Sequence, residues 1–278
     1  MEIRDLTTLD EFGRVVDMEK SIWGYTESDD VVGVPILVVT AKRGGILLGA
    51  FDDRGQMAGF VYSLPAIKDG RLIQWSHMLG VLPGLRDTGL GTRLKLAQRE
   101  RALAVGIDLI EWTFDPLQAL NAHVNFAKLG VVVRAYELNV YGASSSPLHR
   151  GTPTDRFVAE WWLQRLHVQR RIAPHAGEAP RAREVFDAPS VNRTRWAGEW
   201  LECSSLDLGR SGPRLFVEIP PDFGDMMERR PDLALDWRLK TRDIFTTCFA
   251  RGYRVVDFLF DRPARTGRYL LALEEPDL

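Results

Sequence analysis

The sequence has few cysteines and no excess of positive charge. Only two of its 278 residues are cysteine, which excludes a disulfide-rich scaffold and a zinc site built on several cysteines. Its 36 Lys and Arg nearly balance 38 Asp and Glu, whereas a nucleic-acid-binding domain usually carries a clear basic excess. The five histidines show no spacing typical of metal ligands. We therefore expect neither a nucleic-acid partner nor a metal site.

The sequence also lacks a long apolar run. No uncharged stretch approaches the roughly 20 residues that a membrane-spanning helix needs. The segment Met1–Asp5 lacks the basic and then apolar pattern of a secretory signal peptide, and so few cysteines suit a reducing compartment. We expect a cytoplasmic protein with no membrane partner.

The composition is otherwise that of a folded protein. Hydrophobic residues make up 45% of the chain and charged residues 27%, which is ordinary for globular domains. Eight tryptophans and 13 phenylalanines supply apolar surface for a sizeable core, which argues against wholesale disorder. At about 100–200 residues per domain, the length predicts one or two domains.

The first 163 residues predict an alternation of strands and helices. Turn signals such as Asp52-Asp53-Arg54-Gly55 separate runs with strand or helix periodicity, and glycines at 106 and 130 end two of the helices. The predicted strands are 1–7, 46–51, 56–64, 72–81, 107–114, 131–141 and 157–163. The predicted helices are about 8–23, 31–43, 89–104 and 118–129.

The rest of the chain predicts a connector and a smaller domain. Residues 165–190 combine arginines and prolines with little periodicity, which is typical of a solvated linker or of a basic binding edge. Residues 191–278 contain a strand, a helix and two strands, so we expect an α/β (α+β) fold with domains at 1–164 and 191–278. Residues 104–115 also match 250–261 without gaps. The second domain is thus either a degenerate repeat of the first or shares only a helix–glycine–strand junction.

The most informative segment leads from a predicted strand into the helix after it. It reads Leu79-Gly80-Val81-Leu82-Pro83-Gly84-Leu85-Arg86-Asp87-Thr88-Gly89-Leu90-Gly91-Thr92. A helix N-terminus carries unsatisfied N–H groups and the positive end of the helix dipole, and glycines let a phosphate approach the backbone. The segment therefore predicts a pyrophosphate site. It is not a Walker A loop, because Leu90 stands where that motif requires lysine.

This loop resembles the coenzyme-A loop of the GNAT acyltransferase superfamily, whose pattern is Arg/Gln-x-x-Gly-x-Gly/Ala after a Val-x-Pro strand end. The order of predicted elements over residues 1–163 also resembles that family. The segment Asn121–Gly130 is similar to a second family motif, in which Asn is followed by an aromatic residue and Lys-Leu-Gly. The residues that match the first motif are Val81, Pro83, Arg86, Gly89 and Gly91.

The resemblance implies a GNAT-like mixed sheet flanked by helices. It implies direct transfer of an acetyl or other acyl group from acyl-CoA to an amine of a small molecule or peptide. In the family, the strand before the loop and the strand after the helix part to admit the pantetheine arm, and a main-chain N–H near residues 79–81 polarises the thioester carbonyl. The residues that the resemblance assigns to the cofactor are Leu79, Gly80, Val81, Arg86, Asp87, Thr88, Gly89, Leu90, Gly91, Thr92, Asn121 and Phe126.

Such a reaction favours a general base, because an alkyl ammonium with a pKa of about 10 must lose a proton before it attacks. His77 is the first candidate, since imidazole titrates near neutrality and some arylalkylamine acetyltransferases carry histidine at this spacing. Strand alternation predicts that His77 shares a face with Trp75 and Leu79; the alternative is a structural core histidine. Glu111 and Asp115 are further candidates, with a satisfied polar side chain as their alternative.

One position departs from the family. Many members have tyrosine where this chain has Phe126, and that phenol protonates the leaving thiolate, which phenylalanine cannot do. Tyr136, Tyr141 or water would have to replace it, and Tyr141 is our candidate. Otherwise the chain is a non-catalytic coenzyme-A-binding sensor or scaffold. A homodimer is the default expectation for a soluble oligomer.

Overall fold

A computed structural model describes residues 1–25, 31–142, 152–173, 188–261 and 265–274. Within these ranges the chain divides into two compact units, one of residues 1–112 and one of the residues from 113 onward. The predicted domains, 1–164 and 191–278, stay a prediction. The connector predicted at 165–190 lies partly outside the described residues.

The first unit follows the predicted order of strands and helices. Strands β1 to β4 pair antiparallel in sequence order, and β5 pairs parallel with β4. This mixed sheet with helices confirms the predicted fold class. The strands are β1 (Glu2–Asp5), β2 (Ile46–Phe51), β3 (Met57–Lys68), β4 (Arg71–Val81) and β5 (Leu109–Phe114), and the helices are α1 (Leu9–Trp23), α2 (Val34–Lys42) and α3 (Leu90–Ala104).

Local sequence signals account for several boundaries of the first unit. Helix α1 begins with a capping box, in which Glu11 N–H donates to Thr8 Oγ1 at 3.3 Å and Thr8 N–H donates to the Glu11 carboxylate at 3.0 Å. It ends at Gly24, which adopts a left-handed conformation with φ of 64°. The predicted turn between β2 and β3 forms, with Gly55 N–H donating to the Asp52 carbonyl at 3.0 Å.

Helices α1 and α3 pack on opposite faces of this sheet. A Cβ on Gly80 would lie 2.8 Å from Ile22 of α1, whereas a Cβ on Gly59 would lie 3.2 Å from Leu94 of α3. Because Gly80 pairs with Phe60, the residue next to Gly59, the two glycines point to opposite faces. The main core lies on the α1 side and contains Leu6, Phe12, Val15, Met18, Leu37, Leu47, Phe51, Met57, Phe60 and Tyr62.

The second unit is built on an antiparallel sheet in the order β7–β6–β11–β12–β10. Strands β8 and β9 form a separate two-stranded antiparallel hairpin. The strands are β6 (Val132–Glu137), β7 (Arg156–Trp162), β8 (Asn192–Ala197), β9 (Trp200–Leu206), β10 (Arg214–Ile219), β11 (Arg254–Asp261) and β12 (Thr266–Ala272). The helices are α4 (Ala119–Ala122), which continues as a π-helix over His123–Leu129, α5 (Leu166–Ile172), α6 (Phe223–Arg229) and α7 (Pro231–Ala250).

Aromatic side chains form the core of the second unit. The ring of Phe157 on β7 lies 4.6 Å from that of Phe245 on α7 and 5.4 Å from that of Tyr269 on β12. Phe126 adds a further contact, with its ring 5.8 Å from Tyr269. Edge-to-face pairs of this kind stabilise beyond the area that they bury. The core therefore joins residues from before 164 to residues from after 231.

A buried network of charged side chains crosses the same unit. Arg238, 1% exposed, donates two hydrogen bonds to the Asp115 carboxylate at 2.8 and 2.6 Å. Arg242 donates to both oxygens of Asp155 at 2.8 and 3.0 Å. Two-point pairing offsets the desolvation of both charges, and removal of one partner leaves a buried charge uncompensated.

The matching segments 104–115 and 250–261 begin with the same type of turn at the end of a helix. Ile107 N–H donates to the Ala102 carbonyl at 3.0 Å, and in the equivalent place Tyr253 N–H donates to the Cys248 carbonyl at 3.1 Å. Their strands have different neighbours, because β5 pairs parallel with β4 whereas β11 pairs antiparallel with β6 and β12. The match thus corresponds to a shared helix–glycine–strand junction, and a repeat of the whole domain stays a prediction.

Candidate functional site

The loop between β4 and α3 turns sharply into the helix. Residues Pro83–Leu85 form one turn of 3-10 helix, and the Thr88 hydroxyl donates to the Leu85 carbonyl at 2.7 Å. Asp87 has a φ of 62° and Gly89 a φ of 84°. Both lie in the left-handed region that favours glycine, so the loop holds a conformation that an arbitrary sequence would avoid.

The N-terminus of α3 has no side-chain cap. Gly89 is the N-cap residue, and the first main-chain bond runs from Arg93 N–H to the Gly89 carbonyl at 3.0 Å. The N–H groups of residues 90–92 therefore lack partners within the helix, and the helix dipole adds positive potential there. Arg86 in the same loop is exposed, and no carboxylate in the described part of the chain pairs with it. This arrangement suits a polyanion such as a pyrophosphate.

Gly89 and Gly91 differ in what a side chain at each position would meet. A Cβ at Gly89 would meet nothing within 4 Å, so its requirement is the φ of 84°. A Cβ at Gly91 would lie 3.4 Å from Leu79 and 4.0 Å from Val81. A larger side chain at 91 would fill the space between α3 and the end of β4, which glycine keeps open.

Strand β4 extends well past its pairing with β5. Parallel pairs join Gln74 to Ile110 and Trp75 to Glu111. Within the first unit the pairing ends there, whereas β4 continues to Val81 with β3 on its other side. Along residues 76–81, β4 therefore pairs with β3 alone among the strands of the first unit.

A β-bulge lies at His77. Tyr62 and Ser63 are adjacent on β3, but their partners on β4 are Met78 and Ser76. His77 is therefore the extra residue, and a bulge of this kind changes the direction of the side chains that follow it.

The bulge overturns one prediction about His77. Its ring meets that of Tyr62 edge-on, with centroids 5.8 Å apart, on the face that carries α1 and α2. Leu79 instead points toward Gly91 of α3. The prediction that His77 and Leu79 share a face is wrong, because the inserted residue shifts the alternation.

The surroundings of His77 suit a proton acceptor. The side chain is exposed, and its ring nitrogens make no hydrogen bond to the described residues, unlike a satisfied core histidine. Desolvation by neighbouring atoms lowers the pKa of His77 below its usual value, so the imidazole is neutral at pH 7. The Tyr62 hydroxyl is already shared with Thr40 Oγ1 at 3.1 Å.

Glu111 has a cationic partner. It is 5% exposed on β5, and its carboxylate forms an ion pair with Lys68 of β3. This contact favours the structural reading of Glu111, and its role as a base stays a prediction.

Three further predicted site residues belong to the second unit. Asn121 is exposed in α4. Phe126 is fully buried in the π-helix, with its ring against Tyr269. Tyr141 is 45% exposed, and its hydroxyl shares a hydrogen bond with Thr113 Oγ1 at 2.7 Å. Of these three, only Tyr141 has an ionisable group within reach of solvent.

Two other residues considered from the sequence have partners of their own. Asp115 is held by Arg238, and the Tyr136 hydroxyl donates to Asp155 at 3.0 Å. Burial and the Asp155 carboxylate raise the pKa of Tyr136 well above its usual value. Neither group is available for proton transfer, which leaves Tyr141 as the phenol to consider.

The sequence analysis missed a polar cluster beneath β4. Lys95 and Gln98 of α3 lie against Ser76, and all three side chains are buried. The signal was present, since positions 94, 95 and 98 lie on adjacent parts of one helix face.

Solved structures that are similar to part of this chain include several acetyltransferases. No protein-family model matches the chain, and no curated protein matches it. Among solved structures, an aminoglycoside 6′-acetyltransferase type Ii is 18% identical, with 59% of this chain and 97% of that chain covered at a TM-score of 0.46. A GNAT-family acetyltransferase from Streptococcus pneumoniae is 17% identical, with 57% and 96% covered at 0.45. The NatB acetyltransferase complex bound to CoA and MES is 14% identical, with 58% and 97% covered at 0.44.

Over that share of its length, the chain is similar to GNAT acetyltransferases. The matched share is about 58% of the chain. The predicted resemblance to this superfamily is thus met by a likeness in structure, whereas the roles of the individual residues stay predictions.

For two other expectations from the sequence, on membrane helices and on metal sites, the structure gives findings limited to the residues that it describes. None of the described helices is both long and apolar enough to cross a membrane. Within the described ranges, no group of three or more His, Cys, Asp or Glu side chains is placed to hold a metal ion. The cytoplasmic location, the homodimer and the absence of a nucleic-acid partner stay predictions.

Proposed function

We propose that the chain transfers an acetyl or other acyl group directly from acyl-CoA to an amine of a small molecule or peptide. One observation carries the proposal. Strand β4 ends in a loop whose glycine-capped helix leaves its first N–H groups without partners. Such a helix N-terminus binds phosphate through its N–H groups and its dipole.

The loop binds the pyrophosphate of the nucleotide. Main-chain N–H groups from Asp87 to Thr92 donate to its oxygens, and the Arg86 guanidinium adds a positive charge. Gly91 lets the nucleotide lie against the helix, because its missing side chain leaves space beside Leu79. By the resemblance, Asn121 and Phe126 of the second motif also belong to the cofactor site.

The strand binds the pantetheine arm. Main-chain groups of Leu79, Gly80 and Val81, which lie beyond the pairing with β5, form hydrogen bonds to its amides. The thioester then lies near the bulge at His77, where an irregular backbone leaves N–H groups outside the sheet ladder. One such N–H polarises the thioester carbonyl and stabilises the negative charge that develops on its oxygen.

The reaction replaces the C–S bond of the thioester with the C–N bond of an amide. The neutral amine attacks the thioester carbonyl carbon, a C–N bond forms, and the C–S bond breaks. His77 accepts the proton of the amine, directly or through water, since its imidazole is neutral and exposed. The leaving thiolate takes a proton from Tyr141 or from water, because Phe126 has none to give.

Calorimetric titration with acetyl-CoA tests the cofactor site. The unmodified protein should bind acetyl-CoA at micromolar concentration. Gly91→Val should weaken binding at least about tenfold, because its side chain enters the space beside Leu79. Gly84→Val adds the same group where nothing lies within 4 Å and should leave the affinity unchanged. Absence of binding to the unmodified protein would refute the proposal.

The second candidate function is a coenzyme-A-binding sensor without catalysis. It is favoured by the fully buried Phe126, which replaces the phenol of many family members. A panel of amines separates the two functions. An enzyme releases coenzyme-A thiol with at least one amine, and His77→Ala lowers that rate about 100-fold or more while acetyl-CoA still binds. Tight binding with no thiol release for any amine would favour the sensor.

A further inference from the structure

Lys95 carries a buried amine whose contacts among the described residues are with uncharged side chains. Its side chain is 6% exposed, and within the described residues no carboxylate pairs with it. Its Nζ lies 2.8 Å from Ser76 Oγ, 3.2 Å from Gln98 Oε1 and 3.7 Å from the centre of the Trp112 ring. Lysine is almost never fully buried unless it is paired, so the burial of Lys95 calls for an explanation.

The contacts of Lys95 coincide with the end of strand pairing. The last parallel pair between β4 and β5 joins Trp75 to Glu111. Ser76 and Trp112 are the next residue on each strand, and Lys95 contacts both. A hydrogen bond on one side and a cation–π contact on the other thus span the two strands where their pairing stops.

Lys95 also links the two ends of the candidate cofactor site. It lies one helical turn after Gly91 in α3, the helix whose N-terminus forms the loop. Ser76 immediately precedes the bulge residue His77. Gln98 fixes the same hydroxyl from the next turn, with its Nε2 at 3.1 Å from Ser76 Oγ. Burial lowers the pKa of Lys95 to about 7, so the cluster is polar without a permanent ion pair.

We propose that Lys95 is a positioning residue, which sets the separation of β4 and β5 at the place where the acyl thioester of acyl-CoA binds. The inference rests on the proposed function. Lys95 acts through the backbone of Ser76 and His77 on one strand and through Trp112 on the other, and it does not touch the nucleotide. Its loss therefore affects recognition of the acyl-pantetheine arm and spares recognition of the pyrophosphate.

Two ligands separate this role from simple stabilisation. The affinity for acetyl-CoA depends on both the loop and strand β4 of the proposed site. The affinity for 3′-phospho-ADP depends on the loop, because this ligand carries the nucleotide and pyrophosphate without the pantetheine arm. Lys95→Met keeps the length of the side chain and removes its ammonium. We expect the variant to bind acetyl-CoA about tenfold more weakly and 3′-phospho-ADP within about twofold of the unmodified protein. Lys42→Met, at an exposed lysine of α2, should change neither affinity.

Each outcome of these titrations decides the question. Equal losses for both ligands, or no loss for either, would show that Lys95 only stabilises the fold. If Lys95→Met does not fold, Ser76→Ala removes the contact on β4 and should show the same selective loss. An unmodified protein that binds neither ligand would overturn the proposed function itself, which is distinguishable from the failure of Lys95 alone.

Discussion

The buried carboxyl group of Glu19 should make the free energy of unfolding fall as the pH rises. The side chain, on α1, is fully buried. One carboxylate oxygen accepts a hydrogen bond from Val32 N–H at 2.8 Å, and the other has no partner among the described residues. Burial raises the pKa of Glu19 from 4.5 to about 7, although the bond from Val32 acts in the opposite direction. The folded protein therefore keeps this carboxyl protonated at pH values where the unfolded chain has released the proton.

The sign and size follow from linkage. Because the folded state holds the proton more tightly, the contribution of Glu19 to stability is fully present below about pH 4.5 and is lost as the pH rises through about 7. A pKa difference of about 2.5 corresponds to about 3 kcal/mol of unfolding free energy. Glu19→Gln keeps an oxygen for Val32 and is neutral at every pH. It should approach the stability of the unmodified protein near pH 5 and exceed it by about 2–3 kcal/mol at pH 9.

Urea denaturation followed by circular dichroism measures this difference. Unfolding free energies of the unmodified protein and of Glu19→Gln are compared at five pH values between 5 and 9. The difference in unfolding free energy between the two proteins cancels the contributions of the titrating groups that they share. Glu100→Gln, at an exposed position of α3, is the control and should give a constant difference. A Glu19→Gln difference that is also constant over this range would refute the reasoning.

Three further predictions concern other charged and titratable groups. Arg238→Met should lower the unfolding free energy by about 3–5 kcal/mol in urea, because Asp115 is left buried without its partner; a loss below 1 kcal/mol would contradict this. Burial opposes ionisation of Glu11, but hydrogen bonds from two N–H groups and from nearby side chains lower its pKa to about 2. Its contribution to stability is present above about pH 4.5 and is lost as the pH falls toward 2, so Glu11→Gln should flatten the acid limb of the melting-temperature profile. Burial raises the pKa of both thiols, Cys203 and Cys248, so mass spectrometry after iodoacetamide treatment at pH 7 should find neither modified until urea unfolds the protein.

The sequence predicted best those features that depend on near neighbours. The hairpin at Asp52–Gly55 and the helix ends at Gly106 and Gly130 each depend on residues within four positions, and all formed where expected. The loop at Arg86–Gly91 belongs to the same class, because its glycines and its uncapped helix are local features.

Features that depend on distant partners could not be predicted. The bulge at His77 depends on how β3 pairs with β4, and periodicity carries no record of one inserted residue. The partner of Glu111, Lys68, lies 43 positions away, and no local pattern indicates it. Lysine usually lies at the surface. Lys95 is buried instead, because its tertiary contact with Trp112 outweighs the preference of lysine for solvent.

The contact between Asp115 and Arg238 has a practical consequence for work with this protein. A shortened protein that stops at residue 164, where the sequence predicts the end of the first domain, would lose the guanidinium that neutralises Asp115. It would also lose the Phe245 and Tyr269 rings that cover Phe157. Such a fragment would present a lone carboxylate and bare aromatic rings to water, and we expect it to aggregate rather than fold. The part of the chain that carries Arg238, Phe245 and Tyr269 is thus an obligatory part of the folded second unit, whatever its ancestry.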